Sequence, residues 1–199
     1  MNTPTTILTI FVFLFPLAFC LDSPAPAPSA PVSVSTPAPA PAPTHGGHAL
    51  IDKACAESPR KEFCLSLLKS FPESQTADLK GLVFLTFKAI ANNATAASKR
   101  IKALLNDSIA EPAIDDGLST CDDAYLDLVN QIDDSVNSLV SDKFGEIKTW
   151  LMAAIADIDT CAGGLQGHGG SAVDMIRRNR VIRQLCNTAL SIVRALGPD

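Results

Sequence analysis

Phe144 to Leu165 reads FGEIKTWLMAAIADIDTCAGGL, and its apolar side chains Phe144, Ile147, Leu151, Ala154, Ile158, Cys161 and Leu165 recur at alternating steps of three and four. That period describes a helix with one buried stripe. Cys161 lies on the stripe. Forty positions upstream, Cys121 lies on a second stripe, formed by Leu118, Cys121, Tyr125, Leu128, Ile132 and Leu139. Two such helices can be stapled core to core.

Working outward, the same pattern marks two more long helices. Leu79, Val83, Thr86, Ile90, Ala94, Ala97, Ile101 and Leu104 place one over about 77–105. Ile182, Leu185, Ala189, Ile192 and Leu196 place the last over about 171–196, after the glycine-rich turn GGLQGHGG and before the stop Gly197-Pro198. Pro112 marks the first turn of the helix that carries Cys121 and runs to about Ser141. Four long helices with one stripe each bury those stripes against one another, which predicts a four-helix bundle. Ahead of it, Ala49 to Phe71 reads as two short helices broken at Ser58-Pro59, with Pro59 placed to open the second. Cys55 and Cys64 flank that turn. In an oxidising compartment a local disulfide closes such a hairpin; the competing account, a zinc site, lacks a nearby histidine or further cysteine.

The segments CDDAYLDLVNQIDDSV (from Cys121) and KTWLMAAIADIDTC (ending at Cys161) resemble the paired signature of the plant invertase and pectin methylesterase inhibitor family. The two cysteines and Trp150-Leu151 match best, and Cys55 and Cys64, nine apart, match that family's N-terminal hairpin. The resemblance runs from Ala49 to the C-terminus. It implies an all-α, up-down four-helix bundle with an N-terminal disulfide-linked helical hairpin. Together with the spacing and the stripes it implies the pairs Cys55–Cys64 and Cys121–Cys161, with Cys186 reduced. It also implies a non-enzymatic inhibitor that forms a stoichiometric complex over the substrate cleft of a pectin methylesterase or, as the alternative, an acid invertase. The invertase branch carries Pro-Lys-Phe before the second bundle helix, where this chain has Pro112-Ala113-Ile114. The missing Lys and Phe favour pectin methylesterase.

The amino-terminal part has a different character. Residues 1–20, MNTPTTILTIFVFLFPLAFC, form an apolar run too short for a comfortable membrane span, ending in small residues; the reading is a secretory signal peptide, with a bacterial lipoprotein cysteine at Cys20 as its rival and bulky Phe19 against that rival. Residues 21–48 are a Pro/Ala-rich linker of repeated Ala-Pro dipeptides, an extended polyproline II tether that cannot build a core. It is either an unmodified spacer or, as its likeness to arabinogalactan-type sites implies, a hydroxylated and O-glycosylated stretch with wall association. Within His45-Gly46-Gly47-His48 the glycines suggest a hinge, and two imidazoles do not make a metal site. Residues 49–199 form the folding domain. Granted secretion to the apoplast and cell wall, the sequons at Asn93 and Asn106 become glycan acceptors, Asn106 at a helix end being the more accessible.

A net charge of −5 disfavours nucleic acid and suits a basic protein partner. Opposite its buried stripe the Cys121 helix carries Asp116, Ser119, Asp123, Asp127, Asn130, Asp134 and Asn137, a continuous polar ridge, and no Lys or Arg occurs from Ser108 to Ser141. The ridge is either an ordinary solvated face or, since no intrahelical salt bridge explains it, a partner-binding surface built on Asp116, Ser119, Asp123, Asp127, Asn130 and Asp134. Arg177, Arg178, Arg180 and Arg183 read as interhelical pairing partners or a polyanion site. Catalytic readings fare badly. His45, His48 and His168 all fall in the linker or a glycine-rich turn, Asp157-x-Asp159 lacks the remaining ligands of a calcium loop, and Cys186 beside an apolar stripe reads as a buried thiol. No cofactor is implied. A function of another class, a structural Pro-rich wall glycoprotein with the bundle as a mere head, would place the work in residues 21–48.

Overall fold

The computed structural model describes residues 46–107 and 112–197. The signal-peptide reading, the linker up to His45 and the sequon residue Ser108 lie outside the described residues. Six α-helices and no strand occur among those described: α1 Gly46–Ala54, α2 Lys61–Lys69, α3 Leu79–Leu105, α4 Pro112–Val140, α5 Phe144–Gly164 and α6 Ser171–Leu196, with a short 3-10 helix at Pro72–Gln75 between α2 and α3. At ~1.5 Å per residue the 27 residues of α3 span about 40 Å.

The bundle is α3 to α6. Each helix packs on its neighbour in sequence and α6 closes back on α3, while α1 and α2 lean on α3 and α6. The short connections force antiparallel neighbours, as contacts along the axis show: Lys80 pairs with Asp142 at one end of α3–α4 and Ser98 bonds to Asp122 further along. The expected stripes face inward. On α3, Val83, Thr86, Ile90, Ala94, Ala97, Ile101 and Leu104 are buried; on α4, the whole stripe from Leu118 to Leu139; on α5, Ile147 to Leu165, with Phe144 half-buried at the entry.

Local chemistry sets the ends. Asp78 caps α3, its Oδ1 accepting from the Gly81 amide at 2.8 Å, which satisfies one of the orphan donors of the first turn. At the α4–α5 turn Asp142 adopts φ 58°, the left-handed region, and the amides of Asp142 and Lys143 return to the carbonyls of Leu139 and Ser138. That is a Schellman stop with aspartate where glycine is usual. Glu146 then ties the turn down, accepting from Lys143 Nζ at 2.9 Å and from Ser138 Oγ at 3.1 Å.

Local structure differs from the sequence reading at four places. Gly46 and Gly47, read as a hinge, belong to α1, and a Cβ on Gly47 would collide with the Gln75 carbonyl, so glycine there serves a close approach. Pro59 does not open α2, which starts at Lys61 after the Arg60 cap. Pro72 instead opens the 3-10 turn, where Ser74 is buried and its hydroxyl donates to the Phe71 carbonyl. Gly163 and Gly164 end α5 rather than belonging to the turn after it; only Gly167 and Gly170 in that turn have positive φ.

Two disulfides are present, Cys55–Cys64 with Cα atoms 5.7 Å apart and Cys121–Cys161 with Cα atoms 4.3 Å apart, and Cys186 is a buried free thiol. The second staple sits where α4 and α5 come closest. A Cβ on Gly117, one turn before Cys121, would be driven into the carbonyl of Gly164, so the backbones touch there.

Candidate protein-binding face

Residues pointing away from the core of α4 inherit their direction from the same period that buries its stripe. Asp116, Ser119, Asp123, Asp127, Asn130, Asp134 and Asn137 are all exposed. Among the described residues none of the six candidate contact residues has an ion-pair partner. The carboxylate that does pair on α4 is Asp122, which turns toward α3: Ser98 Oγ donates to its Oδ1 at 2.8 Å and Lys102 Nζ lies 3.8 Å from Oδ2. One turn on, Leu126 lines the groove with α3 and is 62% exposed, and Val140 at the far end of α4 is 78% exposed. The ridge therefore has an apolar shoulder, which was legible as a further set of three-four positions but was not read.

On the other flank the ridge meets α5. Asp157 there receives a hydrogen bond from the Gln131 side chain and feels the charge of Asp127; burial first, and then that like charge, raise its carboxyl above the ordinary value. Asp157 Oδ2 and Gln131 Oε1 are both buried without a partner. One edge of the ridge thus sets exposed Asp127 near a half-buried carboxylate of like charge on α5.

Beneath the ridge a polar cluster locks the core. Tyr125 Oη donates to Asn179 Oδ1, and Asn179 Nδ2 donates to Cys161 Sγ at 3.1 Å. Burial pushes the Tyr125 phenol far above its usual range. Asn179 was missed by the sequence reading, although the α6 stripe extended back from Ile182 by one step of three falls on it. A buried tyrosine hydroxyl also demands a partner on another core stripe.

The remaining expected sites fall in different places. Asn93 is exposed in mid-α3, but its Nδ2, the atom a glycan would need, donates to the Ala89 carbonyl at 2.8 Å; Asn106 is the exposed C-cap of the same helix. Of the α6 arginines, Arg183 pairs across helices with Asp159, whereas Arg178 pairs within its own helix with Asp174 at 3.1 Å. Asp157 and Asp159 sit in continuous helix, which is no calcium loop. Among the described residues no group of three His, Cys, Asp or Glu could hold a metal, and no helix is long and apolar enough to cross a membrane.

The sequence model of the plant invertase/pectin methylesterase inhibitor family matches residues 49–192. A pectinesterase inhibitor of Actinidia deliciosa is 25% identical over 147 residues, covering 74% of this chain and 79% of the relative. A cell wall/vacuolar inhibitor of fructosidase from Arabidopsis thaliana is also 25% identical, over 149 residues, covering 74% and 83%. Among solved structures, a mutant form of a pectin methylesterase inhibitor from Arabidopsis superposes with a TM-score of 0.64 at 20% identity, covering 75% of this chain and 98% of that one. The fold is the same.

Proposed function

From the premise that this chain belongs to the plant invertase/pectin methylesterase inhibitor family, a family of enzyme inhibitors, we propose that it inhibits a pectin methylesterase by docking the outer face of α4 over the enzyme's substrate cleft. The observation that carries the reading is the ridge. Its six candidate residues are exposed, unpaired and on one rigid helix, so the surface is organised before any partner arrives. Its uncompensated carboxylates would draw a basic enzyme surface from a distance, with screening beyond about 8 Å at physiological salt. Once docked, Ser119 and Asn130 supply neutral hydrogen bonds that govern dissociation, and the apolar shoulder at Leu126 supplies area.

Specificity follows from the start of α4. Family inhibitors of invertase, by resemblance, carry Pro-Lys-Phe where this chain has Pro112-Ala113-Ile114, and here Ile114 is turned into the core at 4% exposure. A buried isoleucine offers no contact in place of the phenylalanine. Delivery to the apoplast by the leader at 1–20, with wall association through the Pro/Ala-rich stretch, belongs to the same reading, as do glycans at Asn106 and Asn93.

Replacing Asp123 and Asp127 together by Lys tests the face. The expected result is slower association with purified pectin methylesterase and an inhibition constant weakened about tenfold, the size of a few rim charges. A variant still folded by circular dichroism that inhibits at wild-type potency in low salt would overturn the assignment. An acid invertase assayed in parallel separates the two target classes.

A further inference from the structure

Three large apolar side chains that the core leaves in solvent lie along one groove, the cleft between α3 and α4. Leu126 lines it together with Lys99, Lys102 and Val129, and Lys102 Nζ lies 3.8 Å from Asp122 across it. Phe84 precedes Lys102 by eighteen residues and Val140 follows Asp122 by eighteen, about five full helical turns, so each points the way its charged counterpart points. Because the two helices are antiparallel, Phe84 and Val140 stay level, and the Lys80–Asp142 pair just beyond them fixes that register. The groove therefore has an apolar pair at one end, with Phe84 49% exposed, and Leu126 toward the other.

Its two walls carry opposite charge. α3 has five lysines and arginines and no acid, whereas α4 has seven aspartates and no base. Lys80 and Lys102 pair with Asp142 and Asp122 within the chain. Lys88, one turn beyond Phe84, and Lys99 are exposed on the α3 wall; Asp133, two turns beyond Leu126, and Asp123 are exposed on the α4 wall. Among the described residues none of these four has an ion-pair partner.

We propose that this groove is a self-association face on which a second copy of the chain sits, related by a two-fold axis running along the groove. That operation lays α3 of each copy over α4 of the other, basic wall on acidic wall. Phe84 of each copy comes level with Val140 of the other, which closes one apolar cluster about the axis, while Lys88 and Lys99 come within about a turn of Asp133 and Asp123 of the second copy. A two-fold axis across the groove would instead set α3 on α3 and α4 on α4, like charge on like. From Lys80 to Lys102 the groove runs about 33 Å, and two helices each about 10 Å wide give a face of roughly 650 Å² per copy, about 1,300 Å² in all, the low end of specific interfaces. The pairing stands apart from the proposed function, but its consequence rests on that reading. Leu126 and Asn130, which serve enzyme docking there, lie under the second copy, so the dimer is a closed form and the monomer is the inhibitor.

Sedimentation velocity of the full protein across micromolar concentrations tests the face. The expected result is a monomer–dimer equilibrium. Phe84→Ser, at a half-exposed position, weakens it about tenfold or more, since the loss counts twice across the axis. Lys88→Glu sets like charges together and weakens it about tenfold, and adding Asp133→Lys restores association. Circular dichroism checks that each variant keeps its helices. Wild type that stays monomeric throughout, or a dimer that neither substitution weakens, overturns the proposal. A dimer strengthened by Lys88→Glu would set α3 on α3 and overturns it as well. Added pectin methylesterase should convert the dimer to a complex with one inhibitor copy per enzyme. A complex that retains both copies overturns the closed form while leaving the pairing intact, and wild type that inhibits no pectin methylesterase overturns the proposed function without touching the pairing.

Discussion

Asp157 shows how one carboxylate can set a pH response. Burial and Asp127 raise its folded-state value above the ordinary one, so the native state disfavours the charged form. The sign follows: the penalty is fully present above the raised value and disappears as pH falls below the ordinary value. Asp157→Asn should therefore raise stability at neutral pH, and urea melts of variant and wild type should converge below the ordinary carboxylate value, where the aspartate is protonated in the folded and unfolded chain alike. Cys186 acts at the opposite end of the scale. Burial pushes its thiol from about 9 up to about 12, so the unfolded chain releases a proton in alkali that the folded one keeps, and stability falls as pH rises from 9 toward 12. Removing the thiol by Cys186→Ala should flatten that alkaline slope, while alkylation of wild-type Cys186 at neutral pH should proceed only as fast as the bundle opens.

At the scale of helices, two glycines on neighbouring helices have opposite roles. Gly117 stands where α4 touches the backbone of α5, and Gly117→Ala would wedge apart two helices that the Cys121–Cys161 staple holds together; a loss of about 2 kcal/mol is expected, in the range of overpacked cores. Gly163 in the last turn of α5 has open space around it, and Gly163→Ala should gain roughly 0.5 kcal/mol from helix propensity. Thermal melts of both variants check the pair. The contrast also marks what a sequence can carry. Stripe positions such as Leu118, Ile147 and Ile182 declare themselves because burial repeats with the helical period, and all three are buried. Gly117 and Gly163 look alike in one dimension, since what distinguishes them is a backbone on another helix. The same holds for Gly47 against Gln75, which is why a close contact resembled a hinge. The ridge was legible because exposure is the complement of the stripe; the Tyr125–Asn179 bond and the coupling of Asp157 to Asp127 were not, because each joins helices whose rotation relative to one another no periodicity records.

For the whole molecule, the two disulfides partition the chain. On the chain-entropy model the 40-residue staple contributes about 4 kcal/mol, a large part of a small domain's total, and the nine-residue one about 2–3 kcal/mol. The Schellman turn at Asp142 joins α4 to α5 at one end and Cys121–Cys161 joins them at the other, so that helix pair is a closed ring while α3 and α6 enter and leave it as open strands of chain. A ring responds to tension differently from a line. Pulled by its ends, the protein transmits force through the S–S bond and the residues between Cys121 and Cys161 carry no load. Single-molecule stretching should release a contour shorter by roughly 140 Å than in the Cys121→Ala, Cys161→Ala double variant, at about 3.3–3.6 Å per residue over the 40-residue separation. Equal contour lengths would mean that the staple does not close in solution. Tension that strips away α3 and α6 thus cannot draw out the chain between the staple's cysteines, which includes Asp123, Asp127, Asn130 and Asp134: most of the acidic ridge is mechanically shielded even when the bundle around it has come apart.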